Sequence, residues 1–174
     1  LFRVHANVEP PVTDEEIIGL IDVGTKAGVF EATEQDIIES VIALDLSAKM
    51  LELAAQRLKQ ERIDNVVLVR GTALELPLED AAVDAVSNSG GLHLYPDVPL
   101  AIREMRRVLV PGGKVAGLTF RRAIPIARIE RGLDRFAGVR GFDFDALGEL
   151  FLKCGFSDFD WHGERLVGWY TARA

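Results

Sequence analysis

Apolar runs of strand length alternate with stretches of helical period along most of the chain, the pattern of a largely parallel sheet covered by helices. Ile17–Val23 is the first strand expected. Thr13-Asp14-Glu15-Glu16 just ahead of it resembles a capping box, so a short helix there competes with the strand. Val29–Glu39 reads as a loosely patterned helix and Val41–Asp45 as a short strand. Ser47 is placed to cap the next helix, on which Met50, Leu51, Ala54 and Leu58 share one apolar face. Val66–Arg70 and Val83–Asn88 follow as strands. Ala101–Leu109 is a helix with Ile102, Met105, Val108 and Leu109 turned inward. Pro111-Gly112-Gly113 reads as its terminator, so that Lys114–Phe120 becomes the fifth strand. After an unassigned stretch at Arg121–Gly141, Phe144–Lys153 is helical. Phe156–Trp161 and Arg165–Ala172 form a closing strand pair around His162-Gly163-Glu164. A strand that returns by a hairpin lies antiparallel to its neighbour.

Composition narrows the picture. The 174 residues suffice for one domain with its own core, and no repeat, low-complexity tract or linker divides them. A net charge of −7 argues against wrapping a nucleic-acid backbone, which needs clustered Lys and Arg. A small-molecule partner is favoured. The longest apolar runs, such as Val66-Val67-Leu68-Val69, fall far short of the roughly 20 residues that span a bilayer. No charged-then-apolar leader opens the chain, although its first residue is Leu1 rather than Met. Cys154 is the single cysteine, which excludes an internal disulfide and a multi-cysteine metal site. It reads as a small core residue near a helix end. No metal site is visible, and a reducing, cytoplasmic location is consistent with this usage.

Candidate chemistry gathers where strands are expected to end. Leu20-Ile21-Asp22-Val23-Gly24-Thr25-Lys26-Ala27-Gly28 is a strand that ends in Asp-x-Gly and runs toward a helix. An α/β domain brings backbone N–H groups and a carboxylate to a ligand in this way, in the crevice beyond the carboxyl ends of its strands. Asp45 ends the next strand, 21 positions after Gly24, the spacing at which an acid bonds the ribose hydroxyls of an adenosine cofactor. A turn with a surface aspartate ahead of a capped helix is the plainer alternative.

Asp22–Gly28, Val41–Met50, Gly71–Leu78, Val83–Asp97 and Val108–Phe120 resemble, in order and spacing, the successive motifs of class I S-adenosylmethionine-dependent methyltransferases. They are most similar to the small-molecule group that includes the ubiquinone and menaquinone methyltransferases (methyltransferase type 11). The most specific stretches are Val83-Asp84-Ala85-Val86 running to Leu92-His93-Leu94-Tyr95-Pro96-Asp97, and Arg107-Val108-Leu109-Val110-Pro111-Gly112-Gly113. The resemblance implies an α/β, Rossmann-like fold: a seven-stranded, mostly parallel sheet with an antiparallel last strand and helices on both faces. Residues 1–174 then form a single domain. Within it, 1–16 is an N-terminal extension, 17–120 the cofactor-binding core, and 121–174 the substrate-side segment with the closing strands.

By the same resemblance the cofactor is S-adenosylmethionine and the partner a small-molecule methyl acceptor. Asp22, Gly24 and Gly28 face its methionine part, and Asp45 holds the ribose, with Leu46 and Met50 against the adenine. Thr72, Ala73 and Leu74 stand at the adenine edge, and Asn88 and Ser89 lie beside the cofactor at the end of the fourth strand. An adenine ring wants apolar faces and one or two polar atoms at its rim, which these residue types supply.

Two departures stand out. The family pattern is Asp-x-Gly-x-Gly-x-Gly, and Lys26 occupies the place of the middle glycine. Its stem either fills the gap or turns outward to solvent. Thr72 stands where the family commonly has Asp, which reduces a charged acceptor to a hydroxyl. These losses motivate a second reading, a non-catalytic relative kept as a binding or partner subunit. A nicotinamide-dependent oxidoreductase fits less well, because Gly24-Thr25-Lys26-Ala27-Gly28 lacks the Gly-x-Gly-x-x-Gly fingerprint. His93 is the one residue of catalytic type in a suitable place, either as a general base or substrate contact or as a residue that hydrogen-bonds locally. Methyl transfer requires chiefly alignment of donor and acceptor, so proximity carries much of the rate.

Overall fold

The computed structural model describes residues 2–4, 40–122, 141–163 and 166–174. Among the described residues, seven strands form one sheet in the order β3-β2-β1-β4-β5-β7-β6. They are β1 (Phe2–Val4), β2 (Ser40–Asp45), β3 (Val66–Arg70), β4 (Val83–Ser89), β5 (Leu109–Phe120), β6 (Asp158–Gly163) and β7 (Val167–Arg173). The α-helices among the described residues are α1 (Ala48–Glu61), α2 (Val98–Val108) and α3 (Phe144–Lys153).

β2 and β3 pair in parallel, as do β4 and β5. β1 runs antiparallel to both β2 and β4, and β7 antiparallel to both β5 and β6. The α/β class therefore holds, with one difference in strand direction. A central strand opposing its neighbours was not expected, and residues 1–16 were read as an extension. Phe2–Val4 instead bridges β2 and β4, meeting Ser40–Ile42 on one side and Ala85–Val86 on the other. The physical reason is backbone pairing: three extended residues satisfy donors and acceptors that β2 and β4 turn toward each other. The strand expected at Ile17–Val23 and the helix expected at Val29–Glu39 lie outside the described residues.

Local signals account for most element ends. The Ser47 hydroxyl accepts from the Met50 N–H and starts α1, and Arg62, with φ of 58°, ends it. The Asp97 carboxylate accepts from the Leu100 N–H ahead of Pro99, so α2 begins three residues before the expected Ala101. Proline is suited to a first helical turn, where its missing N–H is no loss.

β5 also begins earlier than the Pro-Gly-Gly signal suggested. α2 ends at Val108 because Leu109 is already extended, with φ of −77° and ψ of 135°. Val83 then pairs with Leu109 and Ala85 with Lys114, leaving Val110–Gly113 as an irregularity within the strand pair. Pro111 and Gly112 mark a bulge, not the gap between helix and strand.

The core lies beneath α2 and α3. Val83, Val86, Leu92, Ile102, Met105, Val108, Val115, Phe151 and Tyr170 belong to one cluster. Cys154 is half-buried at the end of α3, with its Sγ near the Pro99 carbonyl at 3.7 Å, which suits the small packing residue expected. Among the described residues no helix is long and apolar enough to cross a membrane.

Candidate functional site

Strand order reverses at the centre of the sheet, with β3 outside β2 on one side and β5 outside β4 on the other. The carboxyl ends of β2 and β4 therefore flank the switch point, where open α/β sheets bind ligands. Asp45 is the last residue of β2 and Ser89 the last of β4.

The Asp45 carboxylate is held in place rather than left to wander. Its Oδ1 accepts from the Ser47 N–H at 2.7 Å, an aspartate turn that leads directly into α1. Its backbone carbonyl accepts from the Gly71 N–H at 3.2 Å. The Arg70 Nε–H donates to the Leu46 carbonyl at 3.3 Å. These bonds tie the tips of β2 and β3 together. Leu46 and Met50, beside the carboxylate, are 69% and 53% exposed, so both present apolar surface at the tip.

Thr72–Glu75 forms a tight turn at the end of β3. The Thr72 carbonyl accepts from Glu75 N–H at 3.4 Å, and its Oγ1 accepts from Leu74 N–H at 3.2 Å. The threonine hydroxyl thus spends one of its two acceptor sites inside the turn and keeps the other, together with its proton. Ala73 is buried and Leu74 half-buried. Asp45, Leu46, Met50 and Thr72–Leu74 are therefore brought to one end of the sheet.

At the tip of β4 the Asn88 side chain points inward. Its Oδ1 accepts from the Gly91 N–H at 3.1 Å, and its Nδ2 lies 3.7 Å from the Met105 sulfur. The Asn88 carbonyl accepts from the buried Tyr170 hydroxyl at 3.5 Å. A side chain at Gly117 would strike that carbonyl and the Tyr170 hydroxyl, and one at Gly91 would strike Asn88 Oδ1 and the Tyr95 hydroxyl. Ser89 is exposed. Asp22, Gly24, Lys26 and Gly28 lie outside the described residues.

Tyr95 was not singled out from the sequence. Its hydroxyl pKa is raised, chiefly by burial; the hydrogen bond with Asn88 opposes this and the nearby Asp45 charge adds to it. The Asp45 field thus reaches a side chain anchored at the tip of β4.

His93 sits in a single 3₁₀ turn, Leu92–Leu94. The ring is buried and meets the Phe120 ring edge-on at 4.8 Å. Its Nδ1 has no hydrogen-bond partner among the described residues, so a local bond from that nitrogen is not seen. Burial lowers its pKa and favours the neutral imidazole. Among the described residues no group of three or more His, Cys, Asp or Glu side chains could hold a metal ion.

A strand-tip carboxylate, a glycine-permitted β4 turn and a central reversal of strand order define the class: an α/β domain with candidate ligand-binding groups at the carboxyl ends of its strands. The sequence profile described as Methyltransferase domain matches residues 21–117, more than half of the chain. The chain belongs to that family, and its class is that of the S-adenosylmethionine-dependent methyltransferases.

It is 36% identical over 122 residues to a demethylmenaquinone methyltransferase of Staphylococcus aureus, covering 70% of this chain and 47% of the relative. The chain thus spans about half the length of the curated relatives it matches. A solved SAM-dependent methyltransferase of Thermotoga maritima superposes with a TM-score of 0.65 at 17% identity, covering 91% of this chain and 95% of that one. A Haemonchus contortus N-methyltransferase, solved with phosphomonomethylethanolamine and S-adenosylhomocysteine, gives a TM-score of 0.65 at 16% identity, covering 78% and 43%. Both likenesses concern the fold.

Proposed function

We propose that this single domain transfers a methyl group from S-adenosylmethionine to a small-molecule acceptor. The observation that carries the reading is the Asp45 tip: a fixed carboxylate followed in the chain by exposed Leu46 and Met50. A carboxylate accepts from two vicinal hydroxyls, and flanking apolar side chains suit a purine face. The donor set at the tip fits an adenosine-bearing group. Asp45 would hold the ribose, Leu46 and Met50 the adenine faces, and the Thr72–Leu74 turn the adenine rim. Ser89 and the Asn88 backbone would line the side nearer β4, and Asp22, Gly24 and Gly28 the methionine end.

The bound cofactor supplies an electrophilic methyl group on a sulfonium. The chain's own contribution is alignment at the mouth between the β4 and β5 tips, where His93 offers a neutral imidazole rather than a competing positive charge. The named relative makes demethylmenaquinone the first acceptor to assay.

Calorimetric titration with S-adenosylhomocysteine tests the reading. Micromolar binding is expected, weakened roughly a hundredfold by Asp45→Ala, the loss of two charge-assisted hydrogen bonds. No heat with that ligand, from either the unaltered protein or Lys26→Gly, overturns the reading.

A further inference from the structure

The last turn of α2 and the segment that follows the Thr72–Glu75 turn are joined by a dense set of polar contacts. Arg107 grips Glu104 with two parallel bonds, Nε to Oε1 and Nη2 to Oε2, both 2.8 Å. The same guanidinium donates to the Leu76 carbonyl at 3.0 Å, the Leu78 carbonyl at 2.8 Å and Asp80 Oδ1 at 2.9 Å. Glu104 Oε2 accepts from the Leu76 N–H at 2.7 Å. The Arg107 carbonyl accepts from the Ala81 N–H at 2.9 Å.

All five guanidinium bonds depend on a planar fork that a lysine cannot reproduce. The Glu104 and Arg107 side chains are 15% and 31% exposed, so water competes only partly for them. Glu104 and Arg107 lie 28 and 31 positions along the chain from Leu76, which makes this a tertiary clamp, not local turn chemistry. At its other end the turn is fixed by the Gly71 N–H on the Asp45 carbonyl. A short turn pinned at both ends has one available register.

We propose that Glu104 and Arg107 are positioning residues for cofactor recognition, holding the Thr72–Leu74 turn at the distance where its polar atoms read the edge of the adenine. This rests on the methyl-transfer reading above. Neither residue touches the cofactor. Removing the clamp lets the turn slide, which removes discrimination at the base while Asp45 still grips the sugar.

The test compares two ligands by calorimetry: S-adenosylhomocysteine and S-inosylhomocysteine, which carries a carbonyl where adenine has its amino group. The unaltered protein is expected to prefer the adenine form by tenfold or more. Arg107→Gln is expected to bring the two affinities within about twofold of each other, and Arg107→Lys to do the same, since a point charge cannot replace the fork. Glu104→Gln, a milder change that keeps an acceptor for Leu76, is expected to give an intermediate ratio and guards against failure of the arginine variants to fold. Faster amide exchange at Leu74 and Leu76 in the variants is the accompanying expectation. A tenfold preference retained in folded Arg107→Gln and Glu104→Gln, with both affinities merely scaled, overturns this inference alone. Binding of neither ligand by the unaltered protein overturns the methyl-transfer reading, and this inference with it.

Discussion

Helix α2 buries Val98, Ala101, Ile102, Met105 and Val108, whereas α1 has no fully buried residue and leaves Met50 and Leu53 about half exposed. The sheet is thus supported differently on its two sides. Under α2 and α3 the β4–β5–β7 region is set by apolar packing, which is close-fitting and resists deformation. At the β2–β3 tips, position is set by directional bonds: Ser47 N–H on Asp45, Gly71 N–H on the Asp45 carbonyl, and Arg70 on the Leu46 carbonyl. Apolar surface that must meet a ligand cannot also be buried in the protein, and hydrogen bonds then do the work of alignment.

The largest contrast is expected from a pair of core and surface substitutions. Phe151 is fully buried among Phe156, Phe159 and Tyr170, so Phe151→Ala is expected to cost about 3–5 kcal/mol in urea unfolding. Leu53→Gln on α1 is expected to stay within about 0.5 kcal/mol. Equal losses would erase the distinction between the two sides.

Gly91→Ala is expected to cost about 1–3 kcal/mol, since the added methyl strikes Asn88 Oδ1 and the Tyr95 hydroxyl. Thermal unfolding reads it, and a neutral result would mean that the β4 tip is as yielding as the β2 tip. Ser47→Ala removes the cap of α1 and is expected to cost about 1 kcal/mol by the same measurement.

The smallest effect is a pH dependence at His93. Burial holds its folded pKa below the ordinary imidazole value of about 6.5, so the unfolded chain binds more protons between those two values. The neutral ring's contribution is complete above about pH 6.5 and fades as pH falls through the lowered folded value. Melting curves at about pH 7.5 and 5.5 should therefore show a loss in the unaltered protein that His93→Gln lacks in part. Identical pH responses would mean that the ring is not desolvated.

Elements whose ends are marked by local chemistry were legible in the sequence. Val66–Arg70 and Phe144–Lys153 have the expected bounds, because an uninterrupted apolar run and a capped amphipathic stretch each carry their own limits. The start of β5 was not legible, since Pro111-Gly112-Gly113 spells a terminator and only the pairing with β4 reveals a bulge. The start of α2 is set by the Asp97 cap and Pro99, which lie outside the apolar spacing from which Ala101–Leu109 was read. Of the candidate site, Asp45 and the Thr72–Leu74 turn stand at strand tips as their positions in the pattern implied. The side-chain roles of Tyr95, Glu104 and Arg107 were not legible, because they depend on partners distant in the chain, which no periodicity encodes.

β7 lies between β5 and β6, pairing with β5 over Lys114–Phe120 and with β6 over Asp158–Gly163. On a ribosome, β5 emerges well before the strand destined to flank it. Its outer margin then carries unsatisfied amide and carbonyl groups until the hairpin of β6 and β7 arrives, an interval in which it can recruit any passing extended chain. Folding of this half is therefore coupled to the emergence of β7, and a nascent chain stalled ahead of Val167 is the species with most need of a chaperone.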